Sequence, residues 1–419
     1  GTLDGDYRAA LGAGRRTLIQ TRATTLRTYD LMKKEVAIVA GTRPEVIKMA
    51  PVWFALRESA MLKPLLISTG QHREMLDQAF GVFGLKPDID LGLMQHGQTL
   101  PDLTARVLTS MTTVLRERKP AAVLVQGDTT TVLGTALAAF YEHVPLGHVE
   151  AGLRTYNFDA PWPEEMNRRL TDPISRWGFA PTEWSAANMR AERMAPDRIH
   201  VTGNTVVDAL LWVREKQKSS GLTAEKVVAR CSIPTHFAAE FLLAPDVISQ
   251  KRWVLITGHR RESFGEGFEN ICRAVGELAD RYPDLGLLYP VHLNPRVQEP
   301  VRRILGENRR VALIPPVGYE DFIWLMERAH FVLSDSGGVQ EETTVLAKPV
   351  LVMRTTTERP EGVDAGTCRL VGTDSRTIVA EAAKLLDDPA DYARRSALKN
   401  PYGDGTAAKR IAAILAREL

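Results

Sequence analysis

An α/β protein of two doubly wound domains facing a central cleft is the fold class this sequence predicts, and three observations carry it. From residue 35 onward, short apolar runs alternate with helix-like stretches, the mark of parallel βαβ units. The alternation breaks over residues 214–250 and then restarts, which divides the chain into two Rossmann-type units. The polar motifs sit at the carboxyl ends of the apolar runs, where open parallel sheets bind ligands.

In order, the first unit opens with "VAIVA" (36–40), then a turn and a helix. "PLLIST" (64–69) leads into "GQHREMLDQAF", and "AAVLVQGD" (121–128) into the small-residue stretch "TVLGTALAAFYEH". "PLGHVEAG", "RWGFAPTE" and "RIHVTGN" follow, each with a helical stretch behind it. Residues 214–250 read as a long polar helix and then irregular chain holding Pro234 and Pro245. The second unit is "WVLITGH" (253–259), "GLLYPVH" (286–292), "RVALIPPV" (310–317), "HFVLSDSGG" (330–338) and "PVLVMR" (349–354). The expected domains are 35–205 and 206–403, with a helix in 404–419 able to cross back onto the first. Residues 1–34 have no sustained apolar period and no signal-peptide core, so they read as a flexible arm. A short basic helix near 15–29 is the alternative, and Met32 is a candidate start.

The 419 residues are 44% apolar and 25% charged, ordinary for a soluble globular protein of two or three domains. A net charge of +2 gives no global field toward nucleic acid or a membrane surface. No apolar stretch is long enough to span a bilayer. Cys231, Cys272 and Cys368 are scattered, which argues against a disulfide or zinc framework and for a reducing, cytoplasmic compartment. No spacing of His, Asp and Glu forms a metal cage. With neither G-x-G-x-x-G nor a Walker lysine motif, nicotinamide cofactors and ATP hydrolysis are disfavoured.

The motif "SDSGGVQEE" (334–342) poses a question. Ser336, Gly337 and Gly338 form a strand–turn–helix junction whose free N–H groups suit a phosphate. Yet Asp335, Glu341 and Glu342 bring carboxylates. Ribose hydroxyls would give Glu342, one turn into the helix, something to accept from, so the pattern suggests a nucleotide. The plainer alternative is acids that complement the helix dipole. "GTRPEVIKMAPV" (41–52) places Arg43 and Lys48 near a helix start, where basic groups oppose the dipole unless an anion binds; two surface cations are the plain reading. Asp128 in "VQGDTTT" and Glu150 in "HVEAGLRT" each follow a strand, and "PWPEEMNRRL" gives Glu164 and Glu165 in a helix first turn after two prolines. Asp128 alone reads as an N-cap. Together the acids would crowd one cleft and split into acid and base roles. His259 in "ITGHRRESFGEG" is a phosphate-facing cation, donor or proton shuttle, or a structural histidine; His292 is a second candidate.

The ordered set GTRPEVIKMAPV, TGQHREMLDQ, QGDTTT, HVEAGLRT, PWPEEMNRRLTD, GNTVVDAL, GHRRESFG, YPVHLNP, SDSGGVQEE and TTERPE…AG…RLVGT, over roughly residues 35–410, resembles the non-hydrolysing UDP-N-acetylglucosamine 2-epimerases. The resemblance implies a GT-B fold, no cofactor, and interconversion of UDP-GlcNAc and UDP-ManNAc through elimination of UDP to a 2-acetamidoglucal. It implies Asp128, Glu150 and Glu164 as acid/base groups. It places His259, Arg43, Lys48 and the Ser336–Gly337–Gly338 turn on the diphosphate, Glu342 on the ribose, Phe322 at the uracil and Arg359 on the sugar side. Gln71 and Gln98 lie in segments that match a second, activating UDP-GlcNAc site. A homodimer serving polysaccharide precursor supply is the family expectation. Thr355 stands where the family commonly has Asp, Val317 where some members have Gln, and Tyr156–Asn157–Phe158 where the segment is often less bulky. These departures keep a modified UDP-HexNAc open as substrate; a GT-B glycosyltransferase and a hydrolysing epimerase are further alternatives.

Overall fold

A computed structural model of the chain describes residues 33–70, 73–93, 95, 97–243, 251–260, 263–397 and 399–419. The N-terminal arm up to Met32, with its candidate basic helix, and Gln71 lie outside the described residues.

Two parallel sheets organise the molecule. Strands β1 (Lys34–Ala40), β2 (Leu62–Ser68), β3 (Ile89–Asp90), β4 (Ala122–Gln126), β5 (Leu146–Val149), β6 (Trp177–Ala180) and β7 (Ile199–Val201) form the first sheet. Its order is β3-β2-β1-β4-β5-β6-β7. Strands β8 (Trp253–Thr257), β9 (Gly286–Pro290), β10 (Val311–Ile314), β11 (Val332–Ser334), β12 (Val350–Val352) and β13 (Cys368–Leu370) form the second. Its order is β10-β9-β8-β11-β12-β13. Each sheet with its helices makes one lobe, so the predicted α/β class stands.

The apolar runs form strands because both faces of each sheet are covered by helices. Along β1, Val36, Ile38 and Ala40 join one core cluster, while Ala37 and Val39 join the cluster on the opposite face. Strand order reverses between β1 and β4 and again between β8 and β11. These switch points open a crevice at the carboxyl ends, and GTRPEV, QGD, GHR and SDSGG are the loops that leave those strands.

Two elements differ from the sequence reading. The segment after β7 is not one long helix and irregular chain. A helix spans Thr205–Ser219, with Asn204 Oδ1 accepting from the Val206 N–H at 3.0 Å. Two short helices, Ala224–Arg230 and Thr235–Phe241, follow it. They bury Val227, Phe237 and Phe241, and Gly286 of β9 leaves room for both rings: a Cβ there would lie 2.9–3.0 Å from them. Seven-residue helices are too short to show a period in the sequence. The edge strands β3 and β13 were also not anticipated; each is at most three residues, and β13 carries the exposed Arg369 at its centre.

The last helix, Ala407–Glu418, packs Ile411 and Leu415 into the core beside Val36 and Ile38 of β1. Trp177 Nε1 donates to Glu418 at 2.7 Å, and Asp208 accepts from the Ala407 and Ala408 N–H groups at 3.3 and 3.0 Å. Among the described residues no helix is long and apolar enough to cross a membrane.

Candidate active site

On the first lobe Asp128 and Asp172 are held by side chains. After β4, Gly127 turns with φ +81°, and Thr129 caps the Thr130–Tyr141 helix by accepting from the Val132 N–H at 3.3 Å. Asp128 is therefore not the cap. Its carboxylate accepts from Arg168 Nη1 at 2.6 Å and its carbonyl from Asn167 Nδ2 at 2.7 Å, both from the Glu164–Ile174 helix. The other guanidinium arm of Arg168 donates to Glu165 at 2.7 Å. Beneath the turn, His148 Nε2 donates to the Gly127 carbonyl at 2.7 Å and Nδ1 meets Asp172 at 2.5 Å. Burial pushes the Asp172 carboxyl up, but His148 and Arg154 outweigh that and hold it at about 2.

Glu164 opens the helix that carries Arg168. Its pKa is raised, first by burial and then by the neighbouring Asp128 carboxylate. Its Oε2 is buried and has no hydrogen-bond partner among the described residues. A half-buried acid beside a carboxylate paired with arginine has its affinity for a proton raised relative to that neighbour.

The second-lobe turn is held by backbone groups. Asp335, fully buried, accepts from the His259 and Arg260 N–H groups at 2.7 and 2.8 Å. Its carboxylate thus ties the loop after β8 to the end of β11. His259 stacks on His292 with ring centroids 5.1 Å apart and 11° between planes. Burial lowers the His259 pKa against the opposing pull of Asp335, so the ring is biased to its neutral form. Ser336 stands at the N-cap position of the Gly337–Val345 helix without a side-chain cap bond, and the first-turn N–H groups of Gly337 and Gly338 have no intrahelical acceptor. Gly337 is required by close packing, since a Cβ would lie 2.5 Å from Arg359 Nη1. Around Gly338 there is open space. Glu342, one turn in, is pushed up to about 7, chiefly by burial; Tyr319, Lys48 and Arg43 pull the other way.

The lobes meet through buried ion pairs. Glu150 has φ +66°, a left-handed conformation uncommon for a non-glycine residue. Its Oε1 accepts from Lys48 Nζ at 2.5 Å, Asn204 Nδ2 at 3.1 Å and Arg359 Nη2 at 3.3 Å, and Gln126 donates to its Oε2. From the other lobe, Glu341 accepts from the same groups: Lys48 at 3.1 Å, Asn204 at 2.9 Å and Arg359 Nε at 2.7 Å. Burial raises Glu150, but Lys48 and Arg359 outweigh it and hold the carboxyl down. Glu341 is pushed up by burial, with Glu150 adding to the rise. Glu358 takes the remaining face of Arg359 and accepts from Arg354 at 3.0 Å.

The family model described as UDP-N-acetylglucosamine 2-epimerase matches residues 54–416. The chain belongs to this family. It is 52% identical to the UDP-N-acetylglucosamine 2-epimerase of Escherichia coli O157:H7 over 377 residues, 90% of this chain and 97% of that protein. The crystal structure of the Neisseria meningitidis enzyme bound to UDP-GlcNAc superposes with a TM-score of 0.84 at 46% identity, covering 92% of this chain and all of that one. The Methanocaldococcus jannaschii enzyme, in complex with UDP-GlcNAc and UDP, gives a TM-score of 0.77 at 33% identity over 91% of this chain and 99% of its own. The two-lobed, GT-B-like architecture is thus shared with UDP-N-acetylglucosamine 2-epimerases.

Within this epimerase, the structure brings Asp128 and Glu164 together at one strand end and gathers Glu150, Lys48 and Arg359 in the interlobe network. Lys48 and Arg359, expected on the diphosphate and the sugar side, are each bonded to carboxylates from both lobes or the cleft wall. Arg43 donates to the Val317 carbonyl at 3.4 Å, a contact that does not depend on the side chain at 317. Phe322 is half-buried on the Tyr319–Arg328 helix. Gln98 accepts from Arg106 at 2.6 Å and from the Gln95 N–H at 3.0 Å. In the bulky segment, Tyr156 donates to Asn188 at 2.9 Å and Phe158 lies under Arg169. Sequence reasoning missed Glu45, Arg168, Asn204 and His148, and it named Glu341 without giving it a role. Glu45 had a signal: Thr42-x-x-Glu45 is a capping box, and its carboxylate accepts from the Gly41 and Thr42 N–H groups at 2.6 and 2.7 Å.

Proposed function

We propose that this epimerase interconverts UDP-GlcNAc and UDP-ManNAc by elimination and re-addition of UDP. A carboxylate takes the proton from sugar C2 while the C1–O bond to UDP breaks, giving a C1=C2 double bond in 2-acetamidoglucal. UDP then adds back at C1 as an acid protonates C2 from the opposite face. The hydrogen leaves and returns as a proton, so the cycle needs no redox partner. The observation that carries this reading is that Asp128, ion-paired with Arg168, neighbours Glu164, whose pKa is raised by burial and by that carboxylate, at the start of the helix that carries Arg168. One group suited to accept a proton and one suited to give it are what inversion at C2 requires. Glu150 is the third proton-transfer candidate, its position fixed by both lobes.

Across the crevice, the Ser336–Gly337–Gly338 turn supplies N–H groups and a helix dipole to the departing diphosphate, with His259 and Arg43 beside it. Glu342 faces the ribose and Phe322 the uracil. Lys48 and Arg359 act on the diphosphate and sugar through the carboxylates they hold. The moving units are residues 35–205 with 404–419, and residues 206–403. The same reading includes a second UDP-GlcNAc near Gln98 as activator, a homodimer, a cytoplasmic setting and supply of polysaccharide precursors. The exposed Phe140 and Tyr141, at the end of one first-lobe helix, offer an apolar surface to a second copy.

Purified protein with UDP-GlcNAc in D₂O tests the proposal by proton NMR. UDP-ManNAc should appear and deuterium should enter C2 of both epimers. Absence of both would overturn the reading, and free ManNAc with UDP as end products would replace it with hydrolysis.

A further inference from the structure

Two carboxylates from opposite lobes share one set of donors. Glu150, after β5, and Glu341, on the Gly337–Val345 helix, both accept from Lys48, Asn204 and Arg359. Glu341 is fully buried, so no solvent competes for these contacts. It is also the neighbour of Glu342 and rides on the same first turns as Gly337 and Gly338. Whatever seats that helix therefore also seats Glu341 against the groups that hold Glu150.

We propose that Glu341 is a positioning residue for the reaction, which brings Glu150 to its working place by dividing Lys48, Asn204 and Arg359 with it when the nucleotide-holding helix lies against the first lobe. The inference rests on Glu150 being a proton-transfer group. With Glu341 ionised, two cations face two carboxylates, and Glu358 covers the far side of Arg359. Without that charge, Lys48 and the arm of Arg359 not held by Glu358 turn onto Glu150, which becomes a poorer base and is drawn along the cleft wall. The nucleotide contacts of Ser336, Gly337, Gly338 and Glu342 do not involve the Glu341 side chain.

A double-mutant cycle on the full chain decides it, read by C2 deuterium exchange and by UDP affinity. Glu341→Gln should lower exchange by ~30- to 100-fold with UDP affinity within about threefold of the parent. Glu341→Asp, which restores the charge on a shorter arm, should recover part of the loss. The pair Glu150→Gln with Glu341→Gln should be no slower than Glu150→Gln alone. Parent-like exchange in Glu341→Gln, losses that multiply in the pair, or UDP affinity falling in step with exchange would each overturn the proposal. So would loss of a cooperative melt in both single variants, since Glu341 would then be holding the fold. Parent-like exchange in Glu150→Gln would instead overturn the role given to Glu150 in the proposed reaction, and the inference with it.

Discussion

The two walls of the crevice are built differently. On the first lobe three carboxylates are fixed by other side chains: Asp128 by Arg168, Asp172 by His148 and Arg154, Glu150 by Lys48 and Gln126. On the second lobe the turn at Ser336 is fixed by main-chain groups, with Asp335 bonding two backbone N–H groups and Ser334 a third. The difference follows from the task. A proton-transfer group needs its charge state set, and charge states are set by ionic partners and burial. A diphosphate needs an array of donors in a fixed geometry, which backbone N–H groups at a helix start supply with little dependence on residue type. Damage to the first wall should therefore appear in turnover, and damage to the second in nucleotide affinity.

The sharpest way to break that contrast is Asp128→Asn. The amide keeps the shape and leaves Arg168 bonded to Glu165, so the fold should hold. Turnover and C2 exchange should fall by ~10³-fold or more, with UDP affinity within about threefold, measured by NMR exchange and calorimetry. Weakened UDP binding in a folded variant would mean that the two walls do not divide the work. On the opposite wall, Ser336→Ala combined with Glu342→Ala should weaken UDP binding by ~10- to 100-fold, the scale of losing one or two charge-assisted contacts. In that variant exchange at saturating substrate should fall less than affinity does. An unchanged affinity would remove Glu342 from the ribose.

Much of this was legible because it is local. The buried runs at β1, β4, β8 and β11 announce themselves, and the switch-point rule turns strand ends into a list of site loops. That is why Asp128, His259 and the Ser336 turn could be named as candidates from strand ends, whereas Glu164, in a helix first turn, was named from its motif. What was not legible depends on pairs far apart in the chain. Lys48 reads as a cation near a helix start, yet its partners lie 102 and 293 residues away. Asp335 reads as an intruder in an anion site until its carboxylate is found capping the loop after β8. Glu341 and Glu342 are neighbours in sequence, but one meets the interlobe cations and the other faces Tyr319 and Arg43. No local pattern tells such a pair apart, because the helix sends them to different faces.

The smallest expected effect concerns the capping box that starts the Arg43–Glu58 helix, where the two styles of fixing meet in one residue. Glu45 bonds main-chain N–H groups, as second-wall acids do, and also accepts from Thr129 Oγ1 at 2.5 Å beside Asp128. Burial, opposed by those hydrogen bonds, pushes its carboxyl from 4.5 up to about 7. Between those values the folded chain keeps a proton that the unfolded chain has lost. Stability from this site is therefore greatest below pH 4.5, falls as pH rises to about 7 and is level above that. Glutamine can hold the same backbone donors, since a capping box accepts either residue. Glu45→Gln should then match the parent near pH 5 and exceed it near pH 8 by about 1–2 kcal/mol, read from denaturant or thermal melts. A parent more stable than the variant at the higher pH would show that Thr129 and the two N–H groups favour the ionised form. Glu45 would then resemble the side-chain-fixed acids of the first wall, and the division between the walls would begin one residue further along the chain.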